Sequence, residues 1–462
     1  MGKAEKTIFR CQQCGYESSR WLGRCPDCGE WNTIAEEKFR NRGKQSFSSF
    51  EIKHLKPLPI NKICIEENKS RYHTGVSEFD RVLGGGVVPG SLILVGGEPG
   101  IGKSTLLLQI ANTMSKNHGR VLYISAEESP FQIKLRATRL GSLSDELFLV
   151  SEIDFETILQ DIYENQPKVV IIDSIQTIND NKLSSASGSI SQIRECTSNL
   201  MQLAKSKEIS IFIVGHVTKG GVLAGPKVLE HIVDTVLYLE GEQYNIFRIL
   251  RSSKNRFGST NELGIFKMSE NGLMEIVNPS KSMLSEKSNH LSGSVVAATF
   301  EGTRPILVEI QALVSYSNLN FPRRMATGVD YNRVLLIIAV LEKRIGYSMQ
   351  SRDIHVNIAG GIKVLEPALD LAIVMAIASS YKDRSIHSET AVFGEIGLAG
   401  EVRMVNQVEK RIQEVTNLGF KRCIIPKGNL ETLTQASQIK NIEIVGIKDV
   451  KEAIDIVLNS SE

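Results

Sequence analysis

One stretch limits the folds open to this chain more than any other. Gly97-Glu98-Pro99-Gly100-Ile101-Gly102-Lys103-Ser104 fits G-x-x-x-x-G-K-[ST] at every fixed position. Ser91-Leu92-Ile93-Leu94-Val95 before it reads as a buried strand, and Thr105-Leu106-Leu107-Leu108-Gln109-Ile110-Ala111 after it reads as a helix. Strand, loop and helix in that order form the setting a phosphate-binding loop requires. The glycines let backbone N–H groups converge on phosphate oxygens, and the helix N-terminus adds a favourable field. The expected ligand is ATP with Mg²⁺, bound by residues 97–104 and Thr105. Lys103 reaches the β- and γ-phosphates, and the Ser104 hydroxyl ligates the metal.

At 462 residues the chain exceeds one ordinary core, so two or three domains are expected. Its 54 basic and 52 acidic residues nearly cancel. That balance neither supports nor excludes nucleic acid, because a local patch matters more than the sum. No apolar run of signal length opens the sequence, and the apolar runs 335–340 and 369–378 are too short to span a bilayer. The expectation is a cytoplasmic protein without membrane association.

Cys11-x2-Cys14 and Cys25-x2-Cys28 form two knuckles, each followed by glycine (Gly15, Gly29). Four thiolates complete a tetrahedral Zn²⁺ site with no open position, so the metal is expected to be structural. Iron is the alternative. A module of residues 1–35 has little core and needs its metal to fold. Trp21 and Trp31 flank the second knuckle and are read as its small core, with a stacking surface as the other reading. Residues 36–65 read as a linker. Cys64, Cys196 and Cys423 stand apart, and Cys423 reads as an inert core thiol.

Further strands are expected at 121–125, 169–172, 210–214 and 233–239, with helices between most of them. That alternation predicts an α/β domain over residues 66–285 with a mostly parallel sheet covered on both faces. Val169-Val170-Ile171-Ile172-Asp173 is an apolar strand ending in an acid, which puts Asp173 beside the phosphates as a Mg²⁺ partner. Asp173 is followed by Ser174, so the carboxylate that orients water comes from elsewhere. Glu127, just after the strand 121–125, is the candidate; the bland reading of Glu127-Glu128 is a helix-start acid pair. His216 ends the strand 210–214 as a candidate γ-phosphate sensor, or as a strand-end histidine satisfied by backbone. The glycine-rich stretch 218–227 carries Lys219 and Lys227, candidates for contact with a phosphate backbone. Lys254 and Arg256 follow the expected strand 244–250. They would contact nucleic acid or complete an adjacent subunit's ATP site; the alternative is an exposed charged turn.

These features together closely resemble the bacterial RadA (Sms) DNA-repair ATPase family, among the RecA-like ATPases. The resemblance covers essentially the whole chain. It rests on Cys11, Cys14, Cys25 and Cys28, on residues 97–104, on Tyr123-Ile124-Ser125-Ala126-Glu127-Glu128-Ser129, on Ile172-Asp173-Ser174, and on Leu223-Ala224-Gly225-Pro226-Lys227-Val228-Leu229-Glu230-His231. The pentapeptide Lys254-Asn255-Arg256-Phe257-Gly258 is the family's hallmark. The resemblance implies a homo-hexameric ring with single-stranded DNA in its channel. It also implies an ATP-driven, helicase-like motor that works with the RecA recombinase, promoting branch migration or heteroduplex extension on branched DNA. Many relatives carry Gly at Ala126 and Arg at Lys227; the latter change keeps charge but loses the bidentate fork.

Residues 286–462 change pattern. Strands are expected at 295–300, 306–313 and 353–358, and helices at 333–342, 367–379 and the C-terminal end. This stretch resembles the Lon-family proteolytic domain, which uses a Ser–Lys dyad. Glu366-Pro367-Ala368-Leu369-Asp370 matches the nucleophile segment and puts Ala368 at the serine position. Glu409 falls at the lysine position, with Lys410 one place off register. No peptidase activity is expected, and the domain reads as a scaffold that closes the ring. Arg304, Arg323, Arg324, Arg333, Lys343 and Arg344 are candidate basic patches. The competing function of a different class is an ATP-gated scaffold that binds DNA and RecA without translocating by itself.

Overall fold

The computed structural model describes residues 6–11, 16–27, 29–39, 59, 71–183, 185–216, 226–241, 247–284, 291–317, 321–433 and 441–458. Cys14, Cys28, Cys64 and Lys219 lie outside the described residues, as do the side chains of His216 and Lys227. The chain divides into two units, Met1–Glu275 and Ile276–Glu462.

The first unit begins with a three-stranded antiparallel sheet: β1 (Lys6–Cys11), β2 (Glu17–Ser18) and β3 (Ile34–Phe39). β3 pairs with β1 along its whole length, from Cys11↔Ile34 to Lys6↔Phe39. Strand pairing thus reaches into the stretch read from sequence as linker, because β1 supplies a full row of backbone partners. The small core here is Cys11, Cys25 and Ile34, with Phe9 and Leu22 against it. Trp21 and Trp31, expected in that core, are 56% and 67% exposed. The cysteines and aliphatic side chains already fill the interior. The Trp21 indole N–H donates to Ile34 O at the surface, and Arg24 lies over the Trp31 ring.

The main sheet of this unit is built on β4 (Leu92–Gly97), β5 (Val121–Ser125), β6 (Leu147–Ser151), β7 (Val169–Asp173), β8 (Ser210–His216) and β9 (Thr235–Glu240). β10 (Phe247–Asn255), β11 (Leu263–Ser269) and β12 (Gly272–Glu275) extend it. The order is β12-β11-β10-β9-β4-β8-β7-β5-β6. The strands β9-β4-β8-β7-β5-β6 are parallel, and β10 to β12 add an antiparallel edge. Side chains alternate between two cores. Ile93, Val95, Tyr123, Ile171 and Phe212 enter one, while Leu92, Leu94, Ile124, Ile172 and Ile213 enter the other. A strand buried on both faces reads as a continuous apolar run, which is why these strands were legible. Helices α1 (Ser77–Leu83), α2 (Lys103–His118) and α3 (Pro130–Arg139) supply the first core; α4 (Phe155–Asn165), α5 (Ile190–Lys207) and α6 (Pro226–Ile232) supply the second.

The second unit opens with a short helix, α7 (Pro279–Met283), whose Ser280 Oγ donates to Glu414 and accepts from the backbone N–H of Leu307. Its strands are β13 (Ser294–Glu301), β14 (Arg304–Tyr316), β15 (Arg324–Thr327), β16 (Arg352–Ile358), β17 (Thr390–Val392), β18 (Glu395–Ile396) and β19 (Val402–Arg403), which form a small sheet of their own, then β20 (Arg422–Pro426) and β21 (Glu443–Ile447). The seven-stranded order is β15-β16-β14-β13-β17-β20-β21. Helices α8 (Tyr331–Val340), α9 (Asp370–Lys382), α10 (Val408–Asn417), α11 (Lys427–Leu433) and α12 (Val450–Leu458) complete it. α9 is buried nearly all round, so it reads as an apolar run without a polar face. Cys423 is fully buried on β20, and burial pushes its thiol pKa up, in keeping with an inert side chain.

Charged groups organise this interior. Arg411 is 1% exposed, and its guanidinium donates to Ala298 O, Asn406 O and the Glu366 carboxylate. Glu366 also accepts from Thr299 Oγ1 and Phe300 N, both at 2.7 Å. Arg333, one of the residues read as basic surface, instead grips the buried Asp370 at the start of α9. Arg324 is likewise turned inward, onto the carbonyls of Met349 and Arg352. Ala368 is buried, whereas Glu409 and Lys410 lie on the exposed side of α10. Arg411→Ala should destabilise this unit by about 3 kcal/mol, because it takes the paired cation away from the Glu366 carboxylate. Chemical denaturation of the full chain, followed by a probe in the second unit, measures this.

Candidate active site

β4 ends at Gly97 and α2 starts at Lys103, so the loop between them sits at the carboxyl edge of the sheet. Two glycines are needed sterically. A Cβ on Gly97 would lie 2.5 Å from Leu239 O, and Gly102 enters α2 at φ +115°. The Lys103 ammonium sits inside the loop, donating to Gly97 O (2.8 Å) and Glu98 O (2.9 Å). Desolvation pulls its pKa below the ordinary lysine range, and the carboxylates of Asp173 and Glu127 pull it back.

Sheet register brings the other candidates to the same edge. Ser125 pairs with Asp173, and Gly97 pairs with His216, so the strand-end residues of β5, β7, β8 and β4 lie side by side. Ala126 N donates to Asp173 O (2.8 Å), which holds the chain after β5 against β7. The peptide Asp173–Ser174 is cis. Ser174 Oγ donates to Glu127 Oε1, fixing that carboxylate at the carboxyl edge of the sheet. Glu128 turns the other way, onto Arg136 at 2.5 Å. Ser129 and Gln132 form a capping box that starts α3 just beyond it. The two adjacent glutamates therefore have different partners.

The structure adds two residues to this edge. Tyr123 is 1% exposed, and its hydroxyl donates to Asp173 Oδ2 at 2.7 Å. Burial, then the Asp173 charge, raises its phenol pKa well above the ordinary value, so it remains a donor. A tyrosine inside an apolar strand needs a partner for its hydroxyl, and that was the available signal. Ser174 carried no such signal. Its contact depends on the cross-strand placement of Glu127. Lys103, Ser104, Asp173 and Glu127 around a glycine loop fit a Mg²⁺-bound nucleoside triphosphate.

The Lys254-to-Gly258 segment lies elsewhere. It ends β10, where a bulge between Ser252 and Lys254 shifts the register against β9. Lys254 Nζ donates to the carbonyls at the C-terminal end of α6: Glu230 (2.5 Å), Val233 (2.8 Å) and His231 (3.4 Å). Desolvation, and then the neighbouring Arg256, lower its pKa. Asn255 Nδ2 donates to Val82 O and Leu83 O at the end of α1. Arg71 donates to Phe257 O (2.6 Å). Arg256 pairs with Asp234 at 3.3 Å while its side chain stays 52% exposed. Asp234, which carries no local sequence signal, is 1% exposed and also binds Lys205 and the backbone N–H of Leu92. Leu92 is the first residue of β4, so this cluster sits at the amino edge of the sheet.

In the N-terminal module, Cys11 N donates to Tyr16 O and Cys25 N donates to Glu30 O, both at 2.9 Å. The two knuckles are closed by the same backbone hydrogen bond, and both described cysteines are fully buried. That symmetry and burial suit a four-cysteine metal site.

Comparison with known proteins agrees with this arrangement. A family model of the AAA domain matches residues 74–222, one of the rubredoxin metal binding domain matches 9–36, and one of subunit ChlI of Mg-chelatase matches 325–429. The fold and site thus define an AAA-type ATPase with an N-terminal zinc-ribbon module and a ChlI- or Lon-like C-terminal domain. The chain is 54% identical to the DNA repair protein RadA of Bacillus subtilis, over 97% of this chain and 98% of that protein. It is 52% identical to the DNA repair protein RadA of Halalkalibacterium halodurans, over 98% of this chain and 99% of that protein. For the protein of that name from Listeria monocytogenes the identity is 51%, over 98% and 99%. The chain belongs to the RadA family of DNA repair proteins. No helix among the described residues is long and apolar enough to cross a membrane.

Tyr123→Phe should raise the Mg²⁺ concentration for half-maximal ATP turnover by about tenfold, because Asp173 loses its orienting donor; a Mg²⁺ titration of turnover checks this. Metal analysis of the purified protein should find a tetrathiolate-bound ion in each chain, lost in Cys11→Ser and Cys25→Ser together with the fold of the module.

Proposed function

We propose that this protein is a DNA-dependent ATPase that forms a homo-hexameric ring and moves along single-stranded DNA. It would extend heteroduplex or drive branch migration on branched intermediates made by the RecA recombinase. The observation that carries this reading is the separation of the two charged sites. The phosphate loop leaves the carboxyl end of β4, and the Lys254-to-Gly258 segment sits at its amino end. A strand of this length spans about 17 Å, beyond the reach of a lysine or arginine side chain. The exposed cation of the segment therefore serves something other than the nucleotide of its own chain. A neighbouring subunit's ATP in a ring, or the phosphates of DNA, meets that description. Arg256, half exposed, is the cation presented outward; Lys254 anchors α6.

Hydrolysis would be in-line attack of water on the γ-phosphate. Ser104, and indirectly Asp173, would hold Mg²⁺, which would supply charge neutralisation on the phosphate oxygens. Lys103 binds those oxygens, and Glu127, held by Ser174, orients and deprotonates the water. His216, in register with Gly97, would sense the γ-phosphate. Lys219 and Lys227 would contact the DNA backbone. Zn²⁺ bound by Cys11, Cys14, Cys25 and Cys28 would be structural. With Ala368 buried and unable to act as a nucleophile, the C-terminal domain serves as ring scaffold and not as a peptidase. The protein would work in the cytoplasm.

Displacement of a labelled strand from forked and three-stranded DNA tests the reading. Displacement should occur with ATP and not with a non-hydrolysable analogue, and should be absent in Lys103→Ala. Glu127→Gln should bind ATP but turn it over about 10²- to 10⁴-fold more slowly. Tight DNA binding without displacement, even with RecA present, would replace the motor with an ATP-gated scaffold.

A further inference from the structure

Between the phosphate loop and the Lys254-to-Gly258 segment lies a contact that neither site explains. Gly96, in the strand leading into the loop, pairs with Tyr238 of β9. A Cβ on Gly96 would lie 2.7 Å from the Tyr238 ring, so glycine there lets the ring lie directly on the strand. The Tyr238 hydroxyl reaches off the sheet and donates to Glu230 Oε1 of α6 at 3.0 Å. Glu230 is also one of the residues whose main-chain oxygen accepts from Lys254 Nζ. The helix is thus held twice at one residue: through its side chain by the strand beside the phosphate loop, and through its carbonyl by the hallmark lysine. Burial, then the bond to Glu230, pushes the Tyr238 phenol pKa up, so the hydroxyl remains the donor. In sequence, α6 begins where the glycine-rich basic stretch ends.

We propose that the Tyr238–Glu230 hydrogen bond is a positioning contact that transmits the state of the nucleotide loop to α6 and Lys254, and so sets how strongly DNA accelerates ATP turnover. This inference rests on the DNA-dependent reading given above. Tyr238 and Glu230 touch neither nucleotide nor metal. They act by fixing where α6 sits relative to Gly96. A displacement of the strand end caused by phosphate binding reaches Lys254 through a ring, a hydrogen bond and a helix end.

Tyr238→Phe keeps the ring on Gly96 and deletes only the donor. Turnover without DNA should stay within about twofold of wild type, while the acceleration by single-stranded DNA should fall about three- to tenfold, the range set by one lost hydrogen bond. Glu230→Ala should do the same, and the double variant should be no worse than either single one, because both remove the same bond. Glu230→Gln keeps a side-chain acceptor and should restore much of the acceleration. Full acceleration in Tyr238→Phe, or additive losses in the double variant, would overturn the proposal. So would a lowered melting temperature with the acceleration ratio intact, which marks the bond as structural only. If DNA does not accelerate the wild-type enzyme at all, the DNA-dependent reading itself falls and takes this inference with it. A wild type that responds, beside a Tyr238→Phe that responds equally, sinks the coupling alone.

Discussion

The carboxylate of Asp234 is the interaction around which the ATPase unit is arranged. Buried, it takes a backbone N–H from Leu92, an ammonium from Lys205 and a guanidinium from Arg256. An ionised group at this depth is tolerable only with such partners, and removing one leaves the others mismatched. The three partners belong to β4, α5 and the Lys254-to-Gly258 segment. One charge therefore fixes the start of the strand that delivers the phosphate loop, the helix behind it and the segment proposed to face a neighbour. Backbone bonds extend the tie, since Asp234 N donates to Leu92 O and Arg256 N donates to Asp234 O.

From that anchored end, β4 runs as the central rod between β8 and β9. Parallel pairing on both flanks leaves it no freedom to slip, because a one-residue shift would exchange its two buried faces. The consequence for chemistry is placement. Asp173, the residues after Ser125, and His216 all reach the carboxyl edge because their strands keep register with the loop strand. The charged residues then divide by partner. Glu127 is held by Ser174 and Glu128 by Arg136, so two neighbouring identical side chains are available for different work.

Much of this was legible in the sequence, for a physical reason. Strands buried on both faces, such as Val169-Val170-Ile171-Ile172, announce themselves as apolar runs, and an acid that ends one is conspicuous. The phosphate loop and its lysine follow from spacing alone. What escaped were contacts made across the fold. Asp234 sits in an unremarkable Val-Asp-Thr sequence, and Ser174 and Tyr123 gain meaning only through the strands beside them. The sequence also could not say that Lys254 caps a helix, because that depends on a bulge and on a helix distant in the chain. In the C-terminal unit, Arg333 and Arg324 read as surface charge, yet each is turned onto an interior acceptor. Composition cannot distinguish an exposed arginine from one that holds a buried carboxylate.

The exposed Trp21 and Trp31 were the clearest departure from expectation, since large indoles near cysteine knuckles suggested a core. The interior there is small enough for the cysteines, Ile34, Phe9 and Leu22 to close it, and the indoles are left outside. They are also the only two tryptophans in 462 residues. Light emitted by this protein on indole excitation therefore originates entirely in the cysteine module, from rings in contact with water. The ATPase and C-terminal units are dark at that wavelength, and the module carries its own optical label.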